Sequence, residues 1–167
     1  MLFRSQVARV GGRIVTWPLL GVAGLQASIP RANGLLRPGG RAGTSVMVEL
    51  FDDPDSLERT VVLVGCDPSM NVLADHVRRR HPGMEMVCLP SNSHAALESV
   101  ARGEAHVAGL HLLDPRTGQY NRPFAEQRLG QDVYLVTFAI WEQGLMLQAG
   151  NPRGIRGVED QIGRAHV

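Results

Sequence analysis

Between residues 60 and 114 the chain alternates short apolar runs with helical periods, and this alternation restricts the fold more than any other stretch. Val61-Val62-Leu63-Val64 is a continuous apolar run closed by Gly65. Asp67-Pro68 follows, an N-cap residue and the proline that suits a first helical position. From Ser69 to Arg80 the apolar residues Val72, Leu73 and Val77 fall on one face. Arg78-Arg79-Arg80 crowd the last turn, where positive charge suits the helix dipole. His81-Pro82-Gly83 stops that helix. Residues 84–89 form a second apolar run, ended by Pro90. Ser91 can cap a second helix, whose apolar face is Ala96, Leu97, Val100 and Ala101 and which ends at Gly103. Residues 105–110 form a third run. Strand, helix, strand, helix, strand with short links predicts parallel strands packed between helices, an α/β arrangement.

The three strand ends carry the candidate site. In an open α/β sheet the ligand crevice lies outside the carboxyl ends of the strands. Here those ends are Gly65-Cys66-Asp67-Pro68, Pro90-Ser91-Asn92-Ser93-His94 and His111-Leu112-Leu113-Asp114. Ser91 and Ser93, with the free N–H groups of the helix they open, can hold an anion; Ser91 reads equally as a simple cap. Cys66 and Asp67 sit in the first loop, where Asp67 is an ordinary N-cap whose charge would compete with an anion. His111 can donate to a ligand or serve as a hydrogen-bonded structural residue. Tyr120 and Asn121, after the turn-rich residues 115–121, can line the rim or belong to a solvated loop.

This stretch resembles the periplasmic-binding-protein-like domain found fused to molybdenum-cofactor biosynthesis proteins and to some molybdate-responsive regulators. The matching motifs are Gly65-Cys66-Asp67-Pro68, Ala101-Arg102-Gly103-Glu104-Ala105, Ala108-Gly109-Leu110-His111-Leu112-Leu113-Asp114 and Thr117-Gly118-Gln119-Tyr120-Asn121. Glu142-Gln143-Gly144-Leu145 and Gly150-Asn151-Pro152-Arg153-Gly154-Ile155 follow in the family's order. The resemblance implies one lobe of a type II periplasmic-binding-protein-like fold over residues 59–161, with a second lobe not contained in this sequence. It implies a small ligand, molybdate or a related oxyanion, with molybdate or molybdopterin as the only cofactor suggested. The expected site residues are Cys66, Asp67, Ser91, Ser93, His111, Tyr120 and Asn121.

Ahead of this lobe, residues 6–51 read as a small all-β, barrel-like segment. Arg13-Ile14-Val15-Thr16-Trp17 is one strand, residues 22–29 contain another, Gly34-Leu35-Leu36-Arg37 follows a turn, and residues 45–50 close the set. Val10-Gly11-Gly12, Arg31-Ala32-Asn33-Gly34-Leu35-Leu36 and Ala42-Gly43-Thr44-Ser45-Val46 resemble the C-terminal β domain of molybdopterin molybdotransferases. Residues 52–58 are the expected linker. The arginines before residues 14–25 imitate a secretory signal, but Pro18, two glycines and Leu25 argue against one.

Residues 1–5 and 162–167 are set apart as sequencing scars. A DNA segment encoding Leu-Phe-Arg-Ser, read as its reverse complement in another frame, encodes Ile-Gly-Arg. Both ends are therefore expected to make few contacts. Residues 133–141, the longest apolar run, read as a central strand.

Composition excludes several function classes. With 17 basic against 16 acidic residues in 167, the chain has no nucleic-acid or anionic-membrane surface to predict. Its basic residues are all arginine, which reads as a GC-rich genome. Cys66 and Cys88 are too few for a disulfide framework or a cysteine-built zinc site, and fit reduced thiols in a cytoplasmic protein. His76, His81, His94 and His106 show no metal-ligand spacing, and His106 is expected to point into a sheet face. There is no Ser-His-Asp pattern, phosphate-binding glycine loop or carboxylate pair that argues for catalysis. The reading is a ligand-binding lobe attached to a molybdenum-cofactor biosynthesis enzyme whose active-site domains lie elsewhere. Its alternatives are the sensing domain of a molybdate-responsive regulator and the solute-binding component of a transporter.

Overall fold

The computed structural model describes residues 3–19, 31–37, 39–142 and 144–161. By packing, the chain divides into two compact units, Met1–Val133 and Tyr134–Val167.

The first unit holds two sheets. The three-stranded one is parallel, in the order β6-β5-β7, and is built from β5 (Thr60–Gly65), β6 (Glu85–Pro90) and β7 (Val107–Ala108). Helices α1 (Met70–Arg80) and α2 (Ser93–Ala101) connect its strands, as the alternation of apolar runs and helical periods predicts. The buried face of α1 is Met70 and Ala74, flanked by half-buried Leu73 and Val77, which is the i, i+3, i+4, i+7 set of one helical stripe. Val72 falls off that stripe and is 70% exposed, which corrects its place on the expected apolar face. Helix α2 buries Ser93, Ala96 and Leu97. A third helix, α3 (Arg122–Leu129), packs on α2 through the edge of the Phe124 ring against His94 and through the Arg128–Glu98 ion pair.

Strand β5 is buried on both faces. Leu63 packs with Met70, Ala74 and Cys88 beneath α1. Val62 and Val64 pack on the opposite side with Ala96 of α2 and with Ala8 and Val10 of β1 (Phe3–Val10). The second sheet is antiparallel, in the order β2-β1-β3-β4, with β2 at Arg13–Pro18, β3 at Gly34–Leu36 and β4 at Val48–Leu50. Gly11 and Gly12, both at positive φ, form the two-residue turn joining β1 to β2. This antiparallel sheet shares a core with the parallel sheet. Among the described residues it is open, since β2 and β4 do not pair with each other.

Four expectations need correction. Phe3, Arg4 and Ser5 are not contact-poor: they complete β1, pairing with Leu36, Leu35 and Gly34, and Ser5 is fully buried. Residues 1–2 and 162–167 lie outside the described residues, as does the strand expected in 22–29. The linker is not a bare connection. Pro54–Arg59 is a 3-10 turn started by Asp53, whose carboxylate accepts from the Asp55 N–H, and it drives Leu57 into the core at 1% exposure. Residues 133–141 form no strand; their apolar side chains include a fully exposed Tyr134 and an Ile140 that is 90% exposed. A strand needs neighbouring backbone to satisfy its N–H and C=O groups, and apolar composition alone does not supply it. Finally, His106 does not point into a sheet face. It is exposed, its Nδ1 accepts from the Val62 N–H at 3.0 Å, and its own N–H donates to the Val62 carbonyl.

The second unit is mostly irregular. A turn at residues 151–155 is held by Asn151, whose carboxamide accepts from the Ile155 N–H and donates to the Ile155 carbonyl. The 3-10 turn Val158–Gln161 follows, and Asp160 accepts from the Arg156 N–H.

Candidate ligand site

The carboxyl ends of the parallel strands are drawn together by backbone bonds to β5. The Ser91 N–H donates to the Gly65 carbonyl at 2.8 Å, and the Gly109 N–H donates to the Val64 carbonyl at 2.7 Å. The close approach of Gly65 and Gly109 depends on neither having a side chain there. A Cβ on Gly65 would stand 3.1 Å from the Gly109 Cα and 2.9 Å from the Met70 sulfur. The loops leaving β5, β6 and β7 consequently converge on an open pocket of about 590 Å³, lined by Cys66, Asn92, Ser93, His94, His111 and Leu112.

Three residues expected from sequence meet in it. His111 Nδ1 lies 3.0 Å from Ser93 Oγ and 3.5 Å from Cys66 Sγ. Ser93 Oγ also accepts from the His111 N–H at 3.2 Å. A hydroxyl carries one donor and two acceptor positions, so Ser93 can hold the imidazole whether or not Nδ1 bears a proton. Ser93 itself is buried, which fixes this contact, whereas Cys66 and His111 are exposed to the pocket.

Four expected residues do other work. Asp67 accepts from both the hydroxyl and the N–H of Ser69, tightening the turn before α1. Those two bonds, hydroxyl first, hold its carboxyl below the usual carboxylate range, with His111 adding a smaller electrostatic pull. Ser91 is bound through its backbone and does not line the pocket. Asn121, at positive φ, stands at the N-cap position of α3 without a side-chain bond to it and brackets Leu112: its Oδ1 accepts from the Leu112 N–H at 2.7 Å, and its own N–H donates to the Leu112 carbonyl. Tyr120 is exposed and bridges to Leu113 through its backbone. The pocket's Asn92, His94 and Leu112 were missed. Asn92 had a readable signal, because asparagine is as good an N-cap as serine: its Oδ1 accepts from the Ala95 N–H at 2.9 Å.

The loop beyond His111 is pinned by Asp114, which is nearly buried. Its carboxylate accepts first from the Arg116 N–H and then from the Thr117 hydroxyl, and both lower its pKa. Glu98 is lowered as well, chiefly by its hydrogen bond from Arg128. A carboxylate held below its unfolded-state pKa stabilises the fold fully above that pKa, and the contribution disappears as pH falls through the folded-state value. Urea midpoints are therefore expected to stay level above about pH 5 and to drop in more acid solution. Asp114→Asn should flatten part of that drop, and an unchanged acid profile in this variant would count against the assignment.

The chemistry offered is that of a polar recognition site. It combines the first turn of α2, where Asn92 already takes the Ala95 N–H, with a hydroxyl, an imidazole and a thiol. Residues 74–166 match the PBP superfamily domain. The chain belongs to the PBP superfamily. A PBP-like domain suggests small-ligand binding, and the pocket lies where a parallel sheet places such a ligand. The chain is also 29% identical over 109 residues to an uncharacterized protein, YvgK, of Bacillus subtilis (strain 168), an alignment covering 65% of this chain and 35% of that relative. It thus spans about a third of the length of the curated relative it matches. No solved structure matches it. Among the described residues no helix is long and apolar enough to cross a membrane, and no group of three or more metal-ligating side chains is found.

Proposed function

We propose that this chain contributes an oxyanion-binding lobe of type II architecture, with the anion seated at the Ser93–His111 side of the pocket. The observation that carries the reading is the convergence of buried Ser93, His111 and the first turn of α2 at the carboxyl ends of three parallel strands. Asp67 stays ionised with its carboxylate bound by Ser69, and it is not among the residues that line the pocket, so the anion is seated away from it on the Ser93–His111 side. The finer reading is molybdate, within a cytoplasmic protein of molybdenum-cofactor biosynthesis. It is supported by the motif resemblance of residues 65–155 and of residues 10–46, and by two cysteines that are both free thiols.

Calorimetric titration with molybdate, tungstate and sulfate tests the reading. A lobe that covers one face of an anion leaves the other in water, where each charge-assisted bond is weakened. The 167-residue chain is accordingly expected to bind weakly, and a two-lobed relative tightly. Ser93→Ala should reduce affinity roughly tenfold, the loss expected for one hydrogen bond to a charged group. Ser91→Ala should leave affinity unchanged, since Ser91 lies outside the pocket. Equal effects of the two substitutions would return both serines to a structural role.

A further inference from the structure

We propose that the Cys66–His111 pair is a thiol-modification site, and that mixed-disulfide formation on Cys66 by a small disulfide closes the ligand pocket. The two residues leave neighbouring strands 45 positions apart in sequence, yet the fold sets Cys66 Sγ 3.5 Å from His111 Nδ1. Cys66 is exposed and lines the pocket, so any group attached to its sulfur occupies the volume in which a ligand would sit. Ser93 supports the imidazole once the Cys66 proton has reached Nδ1, because its hydroxyl oxygen can then accept from that N–H.

The step balances without a further reagent. Cys66 Sγ bonds to one sulfur of the disulfide while its proton passes to His111 Nδ1. The reagent's S–S bond breaks, and the departing sulfur takes that proton and leaves as a free thiol. Cys66 sulfur is oxidised as the departing sulfur is reduced. Access to the attacking sulfur and a neighbouring proton acceptor are what this exchange requires, and both are present.

Cys88 provides an internal control. It is buried, its thiol donates to the Met70 carbonyl at 3.3 Å, and burial pushes its pKa up. One chain therefore carries one accessible thiol beside an imidazole and one sequestered thiol.

The reactivity stands on geometry alone; the closing of the pocket rests on the ligand reading above. The test follows thione release from dithiodipyridine with the native 167-residue chain, the same chain in guanidinium, Cys66→Ser and His111→Gln. One fast thiol is expected in the native protein, about tenfold faster than the same cysteine in the unfolded chain. Cys66→Ser should abolish that phase, and His111→Gln should slow it about tenfold. A native rate no greater than the unfolded one overturns the proposal without depending on any variant, as does a fast phase that survives Cys66→Ser. Treatment with glutathione disulfide, followed by calorimetry with molybdate, then reads the consequence. Loss of anion binding on modification supports closure. Retained binding overturns it. Absence of binding even before modification defeats the ligand reading instead, and in that case pocket occupancy is judged by whether the glutathione adduct slows thiol labelling at the substituted position of His94→Cys; unchanged labelling overturns closure.

Discussion

Replacing Asn33 with alanine is expected to destabilise the first unit by about 2–4 kcal/mol, measured by urea denaturation. Asn33 lies just before β3, and its side chain pairs with β1 as a backbone would. Its Oδ1 accepts from the Val7 N–H at 2.7 Å, and its Nδ2 donates to the Val7 carbonyl at 2.8 Å. Val7 is 1% exposed, so water cannot take over either bond once the carboxamide is gone. A buried N–H and a buried C=O would both be left without partners, each costing about 1–3 kcal/mol. The loss would spread, because β1 is the strand through which the antiparallel sheet reaches the core around Val62 and Val64. Hydrogen exchange should show the Val7 amide losing protection first. A loss below about half a kcal/mol would mean that the sheet closes over the gap without Asn33.

Asn33 also shows where sequence reading stops. It sits in a motif that reads as a turn and as a family resemblance, and nothing local reveals that its amide serves a strand 26 positions away. The elements that were legible carry their own signals. β5, β6, α1 and α2 are bounded by glycine, proline and capping residues, and their apolar residues, Val72 apart, match the faces they bury. β1 carries no such period. It is buried on both sides and includes Ser5 and Gln6 among its buried residues, so its alternation is lost and only its part from residue 6 onward reads as β segment, residues 3–5 falling in the expected chain end. Residues 133–141 failed in the opposite sense, having strand composition without a partner among the described residues. Around the pocket, the nearness of Cys66, Ser93 and His111 is legible because the carboxyl ends of parallel strands are a place fixed by topology. Asp67 and Asn121 are harder to place from sequence, because short polar side chains at loop ends often satisfy backbone groups, as both do here.

Gly65→Val is expected to disturb the fold and the pocket together, and the two effects are separable. Gly65 is the last residue of β5, directly before Cys66. An added Cβ would meet the Met70 sulfur at 2.9 Å, a clash that a flexible thioether can relieve. It would also meet the Gly109 Cα at 3.1 Å and the Gly109 nitrogen at 3.3 Å, and backbone cannot move aside as a side chain can. The relief must come from spreading β5 away from the chain that leaves β7. Valine adds two more methyl groups to the same gap, so a loss of about 2–3 kcal/mol is expected, against a smaller one for Gly65→Ala. The direction of the spreading matters for function. Gly109 lies two residues before His111, so opening this contact draws His111 away from Cys66 and from Ser93. The backbone bond from Gly109 to Val64 lies in the same path and should lengthen as well. Anion affinity in Gly65→Ala should therefore fall further than its modest stability loss accounts for, with the variant still folded by circular dichroism. Unfolding and affinity that decline in strict proportion across glycine, alanine and valine would show that the strand ends support the fold but do not set the geometry of the pocket.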